Sequence, residues 1–365
     1  MSFLGARRWL LALALLSPAC GSGPEVILRT AAGAKVTAAD VDRNPLQLLP
    51  PGSIAWFHLD VANSAQSELG QHVLADLEAR FPLPADSGFS FRRDVRELDV
   101  ATYSIQGLDF AGVALGSFDP AKIAAASLEQ RGGAMAPGLV KSEYAGRTLF
   151  TAQNVGFTIL TPHTALFGNE IGMRRCLDRI SDGRVADELP GWVKELMASP
   201  NAAFAFGGDL SGNAVTATLP RRLALLEGAS QLRAVGNFTE PGINLAGTIQ
   251  HADPNAAQHS ATALLDAGSS VNVYAQLFGF GQPLRKLETR AVGNDTQLVL
   301  AVDAAAIKLL MKRFLPPPPP LVQHSGPGWA HAQAGPGWTP VLPVRWAPPP
   351  GQSHAASAGL TGKEP

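Results

Sequence analysis

Two stretches of this chain align without a gap, and they constrain its fold more than anything else in it. Pro51–Val61 reads PGSIAWFHLDV and Pro200–Leu210 reads PNAAFAFGGDL. Pro51 meets Pro200, Phe57 meets Phe206, Asp60 meets Asp209 and Val61 meets Leu210. Each is a proline stop, then an apolar strand rich in β-formers, then an acidic residue placed to open a helix. Around each stretch the same kinds of element are expected in the same order. A hairpin (Ala101–Ile105 with Phe110–Leu115; Gln231–Phe238 with Ile243–Gln250) precedes an Asp-Pro helix start at Asp119-Pro120 and Asp253-Pro254. Aspartate is a good N-cap and proline is tolerated at the first helical position, so both dipeptides open helices. A threonine-headed strand then runs into a terminal helix, Thr164–Phe167 into Met173–Ile180 and Thr296–Val302 into Ala304–Phe314. The expected fold class is therefore α+β: two tandem related units of mostly antiparallel sheet with packed helices. The first unit spans 51–199, including a connector at Ser181–Ser199, and the second spans 200–315.

Other elements are expected in between. Val26–Leu28 reads as a short strand, and Thr37 as the cap of a brief helical turn through Val41. A helix capped by Asn63 or Ser64 runs to about Phe81. Strands are expected at Lys141–Glu143, Thr148–Thr151 and Val155–Leu160. The second unit should hold a helix around Pro220–Glu227, one from Asp253 to about Gly268, and a strand at Val271–Leu277.

The N-terminus predicts export. Arg7 and Arg8 precede the apolar run Trp9–Leu16, which is far shorter than the roughly 20 residues that span a bilayer. Residues 1–19 therefore read as a signal peptide. Ser17-Pro18-Ala19-Cys20 resembles the lipidation box of bacterial lipoproteins, with Gly21-Ser22-Gly23 as a tether. That resemblance implies a palmitate-type acyl anchor on Cys20. It also implies an outer-membrane address, since no acidic residue follows the cysteine. Residues 20–50 would then be anchor and tether. The same residues also suit an ordinary signal peptidase, which would leave Cys20 a free thiol.

Chemistry-bearing motifs are sparse. The formal net charge is -1 with no basic stripe, which argues against nucleic acid as a partner. No metal spacing, cofactor loop or nucleophile motif is present, so neither metal nor cofactor is expected; Gly279-Phe280-Gly281 lacks the third glycine of a dinucleotide loop. His163, His251 and His259 are scattered. His58 and Asp60 lie two apart on a strand and share a face, which makes them the one candidate catalytic pair. Asp60 and Asp209 read rather as strand-end or helix-cap residues. Cys176 falls in a buried helical stripe with Met173, Leu177 and Ile180, although flanking arginines are of the kind that activate a thiol. Residues 316–365 hold 13 prolines and 7 glycines. That composition predicts a disordered tail that the fold does not need. Trp329, Trp338 and Trp346 within it are candidate docking aromatics.

Pro51–Phe314 resembles the poorly characterised secreted lipoproteins of Gram-negative bacteria built from tandem α+β units. The resemblance implies a non-catalytic envelope lipoprotein, held to the membrane by its lipid and binding another envelope protein or ligand. Two alternatives remain open: an envelope hydrolase using His58 and Asp60, and a carrier of a hydrophobic ligand in a cleft between units.

Overall fold

The computed structural model describes residues 26–29, 35–80, 89–104, 109–129, 140–152, 154–185, 189–197, 199, 202–211, 226, 228–277 and 281–314. The signal segment, Cys20, the helix expected around Pro220–Glu227 and the proline-rich tail lie outside the described residues, apart from isolated positions at Leu226 and Gly228.

A small hairpin, β1 (Val26–Arg29) with β2 (Lys35–Thr37), leads into α1 (Ala38–Arg43). Thr37 caps α1 in a reciprocal box with Asp40, as its sequence position suggests. Twelve further strands form one antiparallel sheet. In the first half they are β3 (Ala55–Asp60), β4 (Val95–Ser104), β5 (Asp109–Gly116), β6 (Val140–Tyr144), β7 (Arg147–Ala152), β8 (Val155–Ile159) and β9 (Thr164–Asn169). The second half supplies β10 (Phe204–Asp209), β11 (Ala229–Asn237), β12 (Gly242–His251), β13 (Leu284–Val292) and β14 (Asp295–Asp303). Their spatial order is β13-β14-β12-β11-β10-β3-β4-β5-β9-β8-β7-β6. The fold is α+β, as the sequence predicts.

The two aligned stretches meet at the centre of this sheet. Strands β3 and β10 pair antiparallel, with Phe57 opposite Phe206, Ala55 opposite Gly208 and Leu59 opposite Phe204. The Asp60 amide donates to Ala203 O at 2.8 Å, and the Asp209 amide donates to Ile54 O at 2.8 Å. When the two stretches are exchanged, Phe57–Phe206 maps onto itself and each other pair maps onto another, so the seam has local two-fold symmetry about Phe57 and Phe206. Outward from it, β4-β5-β9-β8 on one side corresponds to β11-β12-β14-β13 on the other.

Helices cover both faces. Asp60 caps α2 (Val61–Ser64), and α3 (Glu68–Arg80) follows after a break. Next come α4 (Phe91–Asp94), α5 (Pro120–Glu129), α6 (Glu170–Ser181) and α7 (Gly191–Met197). The last two are α8 (Pro254–Leu277) and α9 (Ala304–Phe314). On the front face, Trp56, Ala101, Val113 and Leu166 pack with Met173, Cys176, Leu177 and Ile180 of α6 and Val193 of α7. On the back face, Leu59, Ala114, Phe157 and Phe204 pack with Leu69 and Leu74 of α3 and Ile123 of α5.

Several expectations are corrected. Val271–Leu277 is not a strand but the last two turns of α8. Its β-branched and aromatic residues read as strand locally, yet the helix opened at Pro254 continues through them. The strand of that region is β13, whose many charged residues mask its two-residue alternation. The first long helix, α3, is not capped by Asn63 or Ser64: it starts at Glu68, next to Ser67, whose Oγ accepts from the Gly70 amide at 3.0 Å, while Asp60 caps the separate turn α2. Thr164 and Thr296 are not equivalent: Thr164 pairs with Leu115 and Thr296 with Ile249, one register place apart. The halves are joined edge to edge through β3 and β10, so no cleft separates them there to hold a ligand.

Candidate functional site

His58 and Asp60 do not form a pair. Asp60 Oδ1 accepts from the Asn63 amide at 2.8 Å, which spends it on the helix cap. His58 instead donates from Nδ1 to Asp99 Oδ1 at 2.9 Å, across the β3–β4 register where the two residues stand opposite each other. Asp99 is buried and His58 mostly so. Burial works against a charged imidazole, but the hydrogen bond and charge of Asp99, with Glu97 and Asp60 behind them, outweigh it. The His58 pKa therefore lies above its ordinary value. The hydroxyl nearest Asp60 along the chain, Ser64, donates to Asp60 O at 2.6 Å and is buried, so it is held by backbone rather than by an imidazole. This is a buried hydrogen bond between a histidine and a carboxylate that links β3 to β4.

The other candidates also resolve into structural roles. Cys176 is fully buried in α6, and burial pushes its thiol up to about 12 despite Arg175 and Arg179 nearby. A thiol so raised is not a nucleophile at neutral pH. Folded protein is accordingly expected to leave Cys176 unlabelled by maleimide over hours, with labelling appearing only in denaturant; rapid labelling of the native state would contradict this burial. His251 is buried, and its Nε2 lies 3.2 Å from Thr296 Oγ1, whose own proton goes to Ala257 O at 2.8 Å. It ties α8 to the sheet. His163 sits on an exposed turn, its Nδ1 3.2 Å from Gly116 O. His259 is an exposed residue of α8. No group of three or more His, Cys, Asp or Glu suited to a metal occurs among the described residues.

The feature that sequence reading missed is an asymmetry between the halves. In the first half, the helix after the fourth strand of the set, α6, lies on the front face over β5 and β9. In the second half, its counterpart α9 lies on the back face, where Ala304 and Ile307 join the Phe204 and Phe238 cluster. Lys308 of α9 also reaches Glu68 of α3, at 2.6 Å. Among the described residues, the front of β11, β12 and β14 is left with only α7 beside it.

The side chains there have changed accordingly. Across the first half, register places His58, Asp99, Val113, Leu166 and Thr158 in one front row. The equivalent row of the second half is Gly207, Arg233, Thr248, Gln297 and Arg290. Where α6 covers valine and leucine, the uncovered face carries threonine and glutamine. Arg233 pairs with Glu195 of α7 at 2.6 Å, and Arg290 Nε donates to Gln297 Oε1 at 2.8 Å. Beside this polar row Val235, Ala246 and Val299 form a short apolar strip, with Val299 41% exposed. A shallow hollow of about 370 Å³ lies over Arg233, Val235, Ala246, Thr248, Gln297 and Val299. The polarity could have been read from the two-residue period of Arg233, Thr248 and Gln297, had the face of each strand been known.

A second exposed feature is the end of α8, where Tyr274 is 63% and Leu277 75% exposed. Leu277→Glu is expected to change stability by less than about 0.5 kcal/mol while reducing self-association, because nothing described packs on this side chain. Thermal melting and light scattering of the two proteins together check both halves of that statement.

No protein-family profile and no curated protein matches the chain. Among solved structures, it is similar to crystal form III of TP0453, with 13% identity, 73% of this chain and 96% of that chain covered, and a TM-score of 0.49. Crystal form IV of TP0453 gives 14% identity over 73% of this chain and 95% of that chain, with a TM-score of 0.47.

Proposed function

We propose that this chain is a non-catalytic lipoprotein, anchored to the outer membrane through Cys20, whose two halves are diverged copies of one unit. It binds another envelope component through the front face of the second half, beside α7. One observation carries the reading: among the described residues, no helix lies on the front of β12 and β14 and only α7 touches β11, where the same surface of the first half is covered by α6. Its mix of a small apolar strip with a paired arginine and amides is what a non-obligate protein interface uses, since such interfaces are no more apolar than ordinary surface. The hollow on this face is wide and shallow, which suits a protein partner better than a small ligand buried on most sides. His58 is spent on Asp99 rather than on a hydroxyl or thiol, which favours binding over hydrolysis. His58→Ala should therefore leave binding intact.

Two experiments test this. A photo-crosslinking residue at Val299, in cells, should give one discrete protein adduct, while the same residue at Leu77 on the back face should not. Smeared or equal adducts at both positions would remove the front face as the binding site. Mass spectrometry of the mature N-terminal peptide should show acylated Cys20; an unmodified cysteine amine would make the protein simply secreted.

A further inference from the structure

The chain enters the fold at one defined end of the sheet. Val26, the first residue of β1, stands opposite Thr37. Thr37 caps α1, and Asp42 of α1 accepts hydrogen bonds from Thr161 at 2.5 Å and Thr164 at 2.7 Å. Thr161 lies in the β8–β9 turn and Thr164 opens β9. That turn is in turn bound to the end of β5, where the Gly116 amide donates to His163 O at 2.9 Å. The entry point, α1, the β8–β9 turn and the β5 end thus form one end of the first half. At the opposite end lie Val155 and Ile171, at the start of β8 and of α6.

Six residue steps separate Cys20 from Val26, so the tether reaches at most about 21 Å when fully extended. Strand β9 alone, six residues long, spans about 20 Å. The far end of the sheet is therefore about one tether length beyond the entry point. It meets the bilayer only if the tether lies taut along the whole body.

Charge on the near end is finely mixed. Arg93 pairs with Asp94 at 2.7 Å, Lys122 with Asp119 at 3.2 Å and Arg184 with Asp182 at 2.6 Å, each pair at the end of a strand or helix there. Arg43 with Asp40 on α1 repeats the pattern at 3.4 Å. Such a surface carries both signs within a few ångströms and little net field, which matches a layer of zwitterionic headgroups and offers no preference for anionic ones.

We infer that the body stands on the bilayer by the β8–β9 end of its sheet, against zwitterionic lipid headgroups, with Val155 and Ile171 held away from the membrane. This rests on the reading of Cys20 as the acylated residue. The test supplies the anchor chemically. Mature chain beginning at Cys20 is coupled through that thiol to a maleimide lipid in phosphatidylcholine vesicles; Cys176 is buried and does not compete. A benzophenone amino acid is placed at Pro162 or Lys122 for the near end, and at Val155 or Ile171 for the far end. The reach limit predicts about tenfold more phospholipid adduct from the two near positions than from the two far ones. Equal yields, or a far-end excess, would overturn the orientation. Replacing about a third of the lipid with an anionic phospholipid should leave the near-end yields unchanged, and a several-fold rise would overturn the zwitterionic assignment. The acylation state of Cys20 in the native envelope is a separate measurement, so loss of that reading and loss of this orientation appear in different experiments.

Discussion

Trp56→Ala is expected to destabilise the fold by about 3–5 kcal/mol, the usual cost of removing a large aromatic side chain from a packed interior. Trp56 is only 2% exposed and lies on the front face of β3, between Ala101 of β4 and Gly207 of β10. Both neighbours are small. Gly207 is further restricted by Trp192 of α7, whose ring would stand 2.7 Å from any Cβ built there. Alanine at position 56 would thus leave a void that rigid strands cannot close. Trp56→Phe is expected to cost much less, under about 1.5 kcal/mol. It keeps most of the volume and removes an indole Nε1 that is buried without a hydrogen-bond partner. Urea denaturation of the three proteins, at constant slope, reads both numbers. If the alanine and phenylalanine variants proved equally stable, packing around Trp56 would not be what holds the front layer to the seam.

Asp99→Asn is expected to remove about 1–3 kcal/mol and to change how stability depends on pH. His58 has its pKa raised in the folded state, with the Asp99 hydrogen bond and charge outweighing burial. A raised histidine pKa means that its stabilising contribution is fully present below the unfolded value of 6.5 and is lost as pH rises through the folded value. The native protein should therefore weaken as pH climbs above neutrality. With asparagine at 99 the attraction is gone, burial dominates, and the histidine prefers to be neutral. The variant should then lose the decline above neutrality and instead weaken on the acid side. Denaturation midpoints measured between about pH 5 and pH 9 would reveal the reversal. An unchanged pH profile in Asp99→Asn would mean that another group governs this region.

The strands at the seam were legible because their signals are local. Proline before, β-formers within and aspartate after mark Ala55–Asp60 and Phe204–Asp209 on the sequence alone. The Asp-Pro starts of α5 and α8 were legible for the same reason: each aspartate accepts from backbone amides two and three residues on. The failures involve partners distant in sequence. His58 could not be matched to Asp99, 41 positions away, because only strand register brings them together. The extension of α8 over Val271–Leu277 is tied to β13 by Asn272, whose side chain donates to Leu284 O at 3.1 Å and accepts from the Leu284 amide at 3.0 Å, a contact with a strand that the sequence did not disclose. The bare front face depends on which side of the sheet α9 folds to, and both sides are compatible with its amphipathic pattern.

The symmetry of the seam has a consequence for assembly. If either half were made as a separate polypeptide, its first strand would offer the edge that β3 and β10 now offer each other. Two identical copies would join there by an isologous contact, each phenylalanine meeting its own counterpart on a dyad. Such an interface is self-complementary and consumes both edges at once, so it closes at two subunits and cannot grow into a fibre along that edge. Covalent linkage of the halves releases them from having to be identical. Only then can one side of the pair keep a helix on its front while the other sends the corresponding helix to the back. The exposed face of the second half is thus a surface that no symmetric dimer could present singly: a homodimer would have to bare it twice or not at all.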